Sequence, residues 1–214
     1  MTRKWLQSLL LAVLVSAFCW AAQVQAGVVS LASNPSWTVT LMSPDESPGT
    51  EVGPAQCYPI PVAFNPADIP GACVVWIPGW TSSTPADMQG AFFSKDFFIP
   101  GAPTSGTVLV AVDDWVQLSV NGVVVGTRGS ITDASTAGAA QNPPIPFDIG
   151  PALHAGWNTI RVWARNGPSS FAGNCAPCPW SSNSAWVYFG GSISYDTPVP
   201  VTHRSWGAVK AIYR

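Results

Sequence analysis

Apolar and polar residues alternate with a period of two along much of this chain, most clearly between Thr107 and Asn166. Val108, Val110 and Val112 recur at every second position. Val116, Leu118 and Val120 point one way, while Gln117 and Ser119 point the other. Successive strand side chains face opposite sides, so this is the pattern of strands with one buried face. Asn121-Gly122 joins two of them. Both residues accept the positive φ of a type I′ hairpin, and Val123–Val125 returns. A strand over Asn158–Asn166 places Ile160, Val162 and Ala164 inward and Arg161, Trp163 and Arg165 on the other face. The same reading gives strands over Val28–Leu31, Ser36–Met42, Ala72–Ile77, Ala91–Pro100 and Ala185–Tyr195. Trp37, Val39 and Leu41 share one face of the second of these. The segments Ser43–Pro70, Thr81–Gln89, Gly129–Pro146 and Gly167–Ser184 read as loops. Helical periodicity is confined to Ser205–Arg214, with Ser205 as N-cap and Trp206, Val209 and Tyr213 on one face. Many short strands between turn signals predict an all-β, antiparallel β-sandwich with a short C-terminal tail.

The two ends read differently from the middle. Arg3 and Lys4 precede an apolar run from Leu6 to Trp20, and Val24-Gln25-Ala26 offers small residues before Gly27. This is the layout of an export signal over residues 1–26, and the run is too short for a membrane anchor. The sandwich domain is expected over residues 27–195, with a linker and tail over 196–214. Location outside the cytoplasm follows: secreted or at the cell surface, with the periplasm an alternative, and with no membrane span once the signal is cleaved. Charged residues make up 9% of the chain and the net charge is −2. No basic patch is present, which excludes the electrostatic footprint of a nucleic-acid binder.

Cys57, Cys73, Cys175 and Cys178 lie beyond the signal. An even number in an exported chain points to disulfides, and four cysteines admit three connectivities. Cys57–Cys73 closes a modest loop and Cys175–Cys178 staples one turn, which makes them the preferred pairs. A redox dithiol at Cys175-Ala-Pro-Cys178 lacks the βαβ context it needs, and zinc held by all four sulfurs is disfavoured outside the cell.

Catalytic chemistry finds little support. The only glutamates, Glu46 and Glu51, share one loop. Asp113 and Asp114 are neighbours on a strand, so their side chains are expected to diverge to opposite faces. His154 and His203 belong to no nucleophile motif. Sugar binding needs exposed aromatic rings beside polar groups. Trp163 between Arg161 and Arg165 is the first candidate, against the alternative of a ring covered by arginine stems. Trp80, Trp115 and Trp180 lie at loops or strand ends, whereas Trp37, Trp76 and Trp186 read as core. Asp45, Glu46 and Asp196 are candidate ligands for a structural calcium ion, if the first and last strands adjoin.

Five segments carry a resemblance: Ser94-Lys-Asp-Phe-Phe-Ile-Pro100, Val110-Ala-Val-Asp-Asp-Trp115, Leu118-Ser-Val-Asn-Gly122, Leu153–Gly156 and Asn158-Thr-Ile-Arg-Val-Trp-Ala-Arg-Asn166. In order and content they resemble bacterial galactose-binding-like jelly-roll domains, carbohydrate-binding modules that accompany many secreted glycosidases. The resemblance covers Trp37–Tyr195. It implies a non-catalytic module, often glycan-binding and sometimes holding calcium, with the Asp113–Asp114 pair at a structural bend. No catalytic domain is expected in this chain, a departure from the glycosidase context. Its expected partner is a glycan. Alternatives are a structural subunit of a filament or surface layer, self-assembling through the tail, and a small secreted hydrolase.

Overall fold

The computed structural model describes residues 24–59, 69–173 and 175–198. The expected tail helix over 205–214 and residues 1–23 of the expected signal lie outside them.

The alternation becomes twelve strands among the described residues: β1 (Val24–Ala32), β2 (Thr38–Met42), β3 (Pro48–Pro54), β4 (Gln56–Cys57), β5 (Val75–Trp76), β6 (Gly90–Ile99), β7 (Ala102–Asp113), β8 (Trp115–Val120), β9 (Val123–Gly129), β10 (Ile145–Asp148), β11 (Gly156–Arg165) and β12 (Trp186–Pro198). A helix α1 (Ala134–Gln141), a 3-10 turn (Gly150–Ala152) and a one-turn helix α2 (Ser169–Ala172) interrupt them. Sheet A runs β10-β7-β12-β5-β4, with β1 also paired to β12. Sheet B runs β3-β2-β6-β11-β8-β9. Every pairing is antiparallel, and the chain crosses repeatedly between the sheets, as in a jelly roll.

The inner faces form one core. Val39, Phe93, Ile99, Val116, Leu118, Val120, Ile160, Val162 and Ala164 come from sheet B. Leu31, Val108, Val110, Val112, Val187, Phe189 and Ile193 come from sheet A. Trp37 meets Phe189 edge-on at 4.6 Å and donates its indole N–H to the Ala32 carbonyl at 2.8 Å. Trp37, Trp76 and Trp186 are all buried, as expected. Asn121 and Gly122 both have positive φ, and the turn is pinned to β11 through Asn121 Oδ1, which accepts from Thr159 N.

A second apolar cluster lies on the outer side of sheet A. Ile69 and Val74 cover Ala111, Trp186 and Tyr188 there. The covering segment is held by the Cys57–Cys73 disulfide, and Cys175–Cys178 is also bonded. On the outer face of sheet B, Asp96 and Phe98 of β6 and Trp157, Thr159 and Arg161 of β11 are exposed, and they position the candidate site.

Four sequence readings are corrected. The segment Ser43–Pro70 is not all loop: β3 pairs with β2, and β4 with β5. An exposed edge strand needs no apolar alternation and accepts proline, so β3 carries no period-two pattern. Gly129–Pro146 contains α1 and β10. The helix buries only Ala137 and Ala140, and β10 is another proline-bearing edge strand. The strand expected over Ala72–Ile77 is regular only at Val75–Trp76. Finally, β1 and β12 run beyond their expected limits, pairing Val24–Ala26 with Asp196–Pro198.

Candidate functional site

The outward residues of β11 are Trp157, Thr159, Arg161, Trp163 and Arg165. Their cross-strand neighbours on β6 are Phe98, Asp96, Ser94, Phe92 and Gly90. On the other side lie Ser119, Gln117 and Trp115 of β8. The strip therefore runs along the outer face of sheet B, and its two halves differ.

The half at the Arg165 end is closed by its own side chains. Trp163 stacks beside Phe92 at 5.2 Å and takes Trp115 edge-on at 4.9 Å. Arg165 lies 5.9 Å from the Trp163 ring, is 8% exposed at its side chain, and binds Glu46 at 2.9 Å. Arg165 Nε and Trp163 Nε1 are buried without a hydrogen-bond partner. Of the two readings of this motif, the covered tryptophan describes this half. Arg165 and Glu46 are occupied with each other rather than presented to a ligand.

The half at the Gly156 end is open. Trp157 is 68% exposed and Phe98 49%, their rings meeting at 5.5 Å and 67°. Thr159 Oγ1 donates to Asp96 Oδ1 at 2.6 Å beside them. Arg161 is exposed, with its guanidinium 5.8 Å from the Phe92 ring. Aromatic rings, a carboxylate, a hydroxyl and a guanidinium thus share one accessible surface. Trp157 and Phe98 escaped the sequence reading. The signal was available: Trp157 has the parity of Thr159 and Arg161, opposite to Ile160 and Val162.

The loop tryptophans are placed elsewhere. Trp80 and Trp180 pack with Tyr58 against the core at the Arg165 end. Trp180 lies 5.1 Å from the Tyr58 ring and donates Nε1 to the Ala185 carbonyl at 2.9 Å. Trp80 meets Trp76 edge-on at 6.0 Å, and its backbone N–H donates to Tyr58 Oη. Tyr58 Oη in turn donates to the Ile77 carbonyl, and burial pushes its phenol above the usual range. These rings seal the end of the core. The structure does not bring them together with the outer strip of sheet B, although Trp115 belongs to that strip.

The calcium trio does not converge. Asp45 binds Ser47 through Oδ1, and these bonds, the hydroxyl first, hold its carboxyl below the ordinary value. Glu46 pairs with Arg165. Asp196 lies at the far end of β12: Trp186 sits opposite Asp113, and Asp196 ten residues on sits opposite Ala102. That is roughly 33 Å away at the rise of a strand. First and last strands do adjoin, but Asp45 and Glu46 follow β2, which belongs to the other sheet. Among the described residues no group of three His, Cys, Asp or Glu side chains is placed to hold a metal.

Asp113 and Asp114 do not diverge. Their carboxyls share a hydrogen bond, because alternation holds only inside a strand and Asp114 stands between β7 and β8 at a corner. His154 is exposed, with Nδ1 2.9 Å from the Ala155 carbonyl oxygen.

No protein-family profile matches the chain, and no curated protein matches it in sequence. Similar solved structures include an FMN-binding β-glucuronidase from Facaelibacterium prausnitzii L2-6, at 17% identity and a TM-score of 0.39, covering 82% of this chain and 23% of that one. An α-L-rhamnosidase from Streptomyces avermitilis complexed with L-rhamnose has 16% identity and a TM-score of 0.39, covering 84% of this chain and 13% of that one. A lectin from Pleurotus ostreatus in complex with GalNAc has 18% identity and a TM-score of 0.36, covering 58% of this chain and 37% of that one. This chain thus spans well under half of each of them. The assignment as an antiparallel sandwich rests on its own two sheets.

Proposed function

We propose that the protein is an exported, non-catalytic carbohydrate-binding module whose ligand lies on the outer face of sheet B. The observation that carries this reading is the exposed Trp157–Phe98 pair beside Asp96, Thr159 and Arg161. A sugar ring offers an apolar C–H face to an aromatic ring and hydroxyls to flanking acceptors and donors, and this surface supplies both. The two disulfides, the export-type N-terminus and the jelly-roll resemblance agree with such a role. Non-catalytic function fits the titratable groups on this strip: Asp96 is bound to Thr159, and Glu46 to Arg165. Binding to a glycan array, followed by titration of Trp157→Ala, tests the reading. Wild type is expected to bind, and the variant to lose roughly tenfold or more in affinity, about 1.4 kcal/mol. A wild type that binds no glycan, or a variant that binds equally well, refutes it.

A further inference from the structure

Where β7 hands over to β8, two carboxyls share one buried niche. Asp113 is 6% exposed and Asp114 4%. Asp113 Oδ1 accepts from Gln141 Nε2 at 2.8 Å, and Gln141 is the last residue of α1. Asp113 Oδ2 accepts from Ser184 Oγ at 2.7 Å, and Asp114 Oδ2 from Gly167 N at 2.6 Å. A side chain at Gly167 would meet that carboxylate, its Cβ lying 2.7 Å from Asp114 Oδ2. The network extends outward through Asn183 Nδ2, which donates to the Gly167 carbonyl at 3.3 Å and to Asp87 Oδ1 at 2.9 Å. Asp87 Oδ2 accepts from Cys178 N at 2.8 Å. Helix α1, the loop from β11 to β12 and the segment carrying Asp87 are therefore joined through this one pair.

The charged groups around it do not neutralise it. Arg128 directs its guanidinium to the Val110 and Ala139 carbonyls, at 2.6 and 2.9 Å. Arg165 faces Glu46 and contributes only its carbonyl oxygen, which accepts from Asp114 N. From the segment after β9, Ser130 offers only its N–H, to the Asp114 carbonyl. Asp87 is a further acid, separated from the pair by Asn183 and Gly167. Two adjacent buried carboxyls with no cation facing them among the described residues cannot both be ionised cheaply, so one proton is kept between them.

We propose that Asp113 and Asp114 form a proton-operated latch. With one proton shared, the carboxyls bond to each other and anchor α1 and the β11–β12 loop to the end of the sandwich. When that proton leaves to solvent, the two carboxylates repel, hydration of the niche becomes favourable, and both segments loosen while the core stays folded. Burial, and next the charge of Asp114, pushes Asp113 up to about 8, which places the release in mildly alkaline solution. Asp114 is raised too, chiefly by burial.

Hydrogen exchange of the full chain between pH 6 and 10, corrected for the intrinsic rate, tests the latch. Protection of Ala134–Gln141 and of residues 167–184 is expected to fall at least tenfold across the release, while β11 keeps its protection. Asp113→Asn removes the shared proton and the charge, so its protection pattern should not change with pH. The proposal is overturned if wild-type α1 stays as protected at pH 10 as at pH 6, or if Asp113→Asn loosens with the wild-type midpoint. If circular dichroism shows Asp113→Asn unfolded, Ser184→Ala replaces it. Ser184 donates to the ionised form, so its loss must shift the midpoint upward, and an unchanged midpoint overturns the latch.

Discussion

Trp157 and Trp163 stand six residues apart on the same side of β11, and their surroundings divide them. Trp163 has Phe92, Trp115 and Arg165 around it, whereas Trp157 touches Phe98 and solvent. Trp157→Ala should therefore leave urea stability within about 0.5 kcal/mol of wild type, as for other exposed side chains, while removing glycan affinity. Asn158 is the opposite case. It is buried, and it accepts from Asn121 Nδ2 and His154 N while donating to the His154 and Gly156 carbonyls. Asn158→Ala leaves those partners unpaired and should cost about 2–4 kcal/mol in the same measurement. Parity along a strand was legible in the sequence and places both residues correctly, Trp157 outward and Asn158 inward. What parity does not contain is the neighbour that covers or uncovers a ring, since Phe92, Trp115 and Glu46 reach Trp163 and Arg165 from other strands and a turn.

At the scale of elements, the long strands β6, β7, β8, β11 and β12 were readable because each must bury one face in the core. Strands β3 and β10 bury almost nothing and contain proline, and α1 carries only alanines inward, so neither period marks them. Local chemistry holds the helix instead: Asp133 Oδ1 caps it by accepting from Thr136 N at 2.6 Å. Asp133→Ala should destabilise the protein by about 1 kcal/mol. The Cys57–Cys73 bridge acts on a larger element. It closes a 16-residue separation and holds Ile69 and Val74 over Trp186 and Tyr188. Replacing both cysteines by alanine should cost about 3 kcal/mol, on the chain-entropy account. Acrylamide quenching should rise as Trp186 is uncovered. Unchanged quenching would mean that packing alone keeps the segment in place.

For the molecule as a whole, the loop-bearing end is the part whose stability depends on pH. A carboxyl in the unfolded chain titrates near 3.8, and Asp113 in the fold near 8. Between these values the folded protein holds a proton that the unfolded chain has released. Stability must then fall as pH rises through this window. The contribution is fully present below the lower value and lost by the time pH has passed the upper one. This is opposite in sign to the usual paired carboxylate, and to Asp45 and Asp133, whose carboxyls are lowered by their hydrogen bonds and which favour folding above their titration. Both are surface acids held below the ordinary carboxylate value by these bonds, whereas the buried pair is shifted the other way. Melting temperature measured from pH 5 to pH 9 should decline and then level off near pH 8. Asp113→Asn should flatten that decline, because the amide keeps an acceptor for Gln141 or Ser184 and has no proton to lose. A wild-type melting temperature that stays level from pH 5 to pH 8 would show that the pair is already ionised in the folded state.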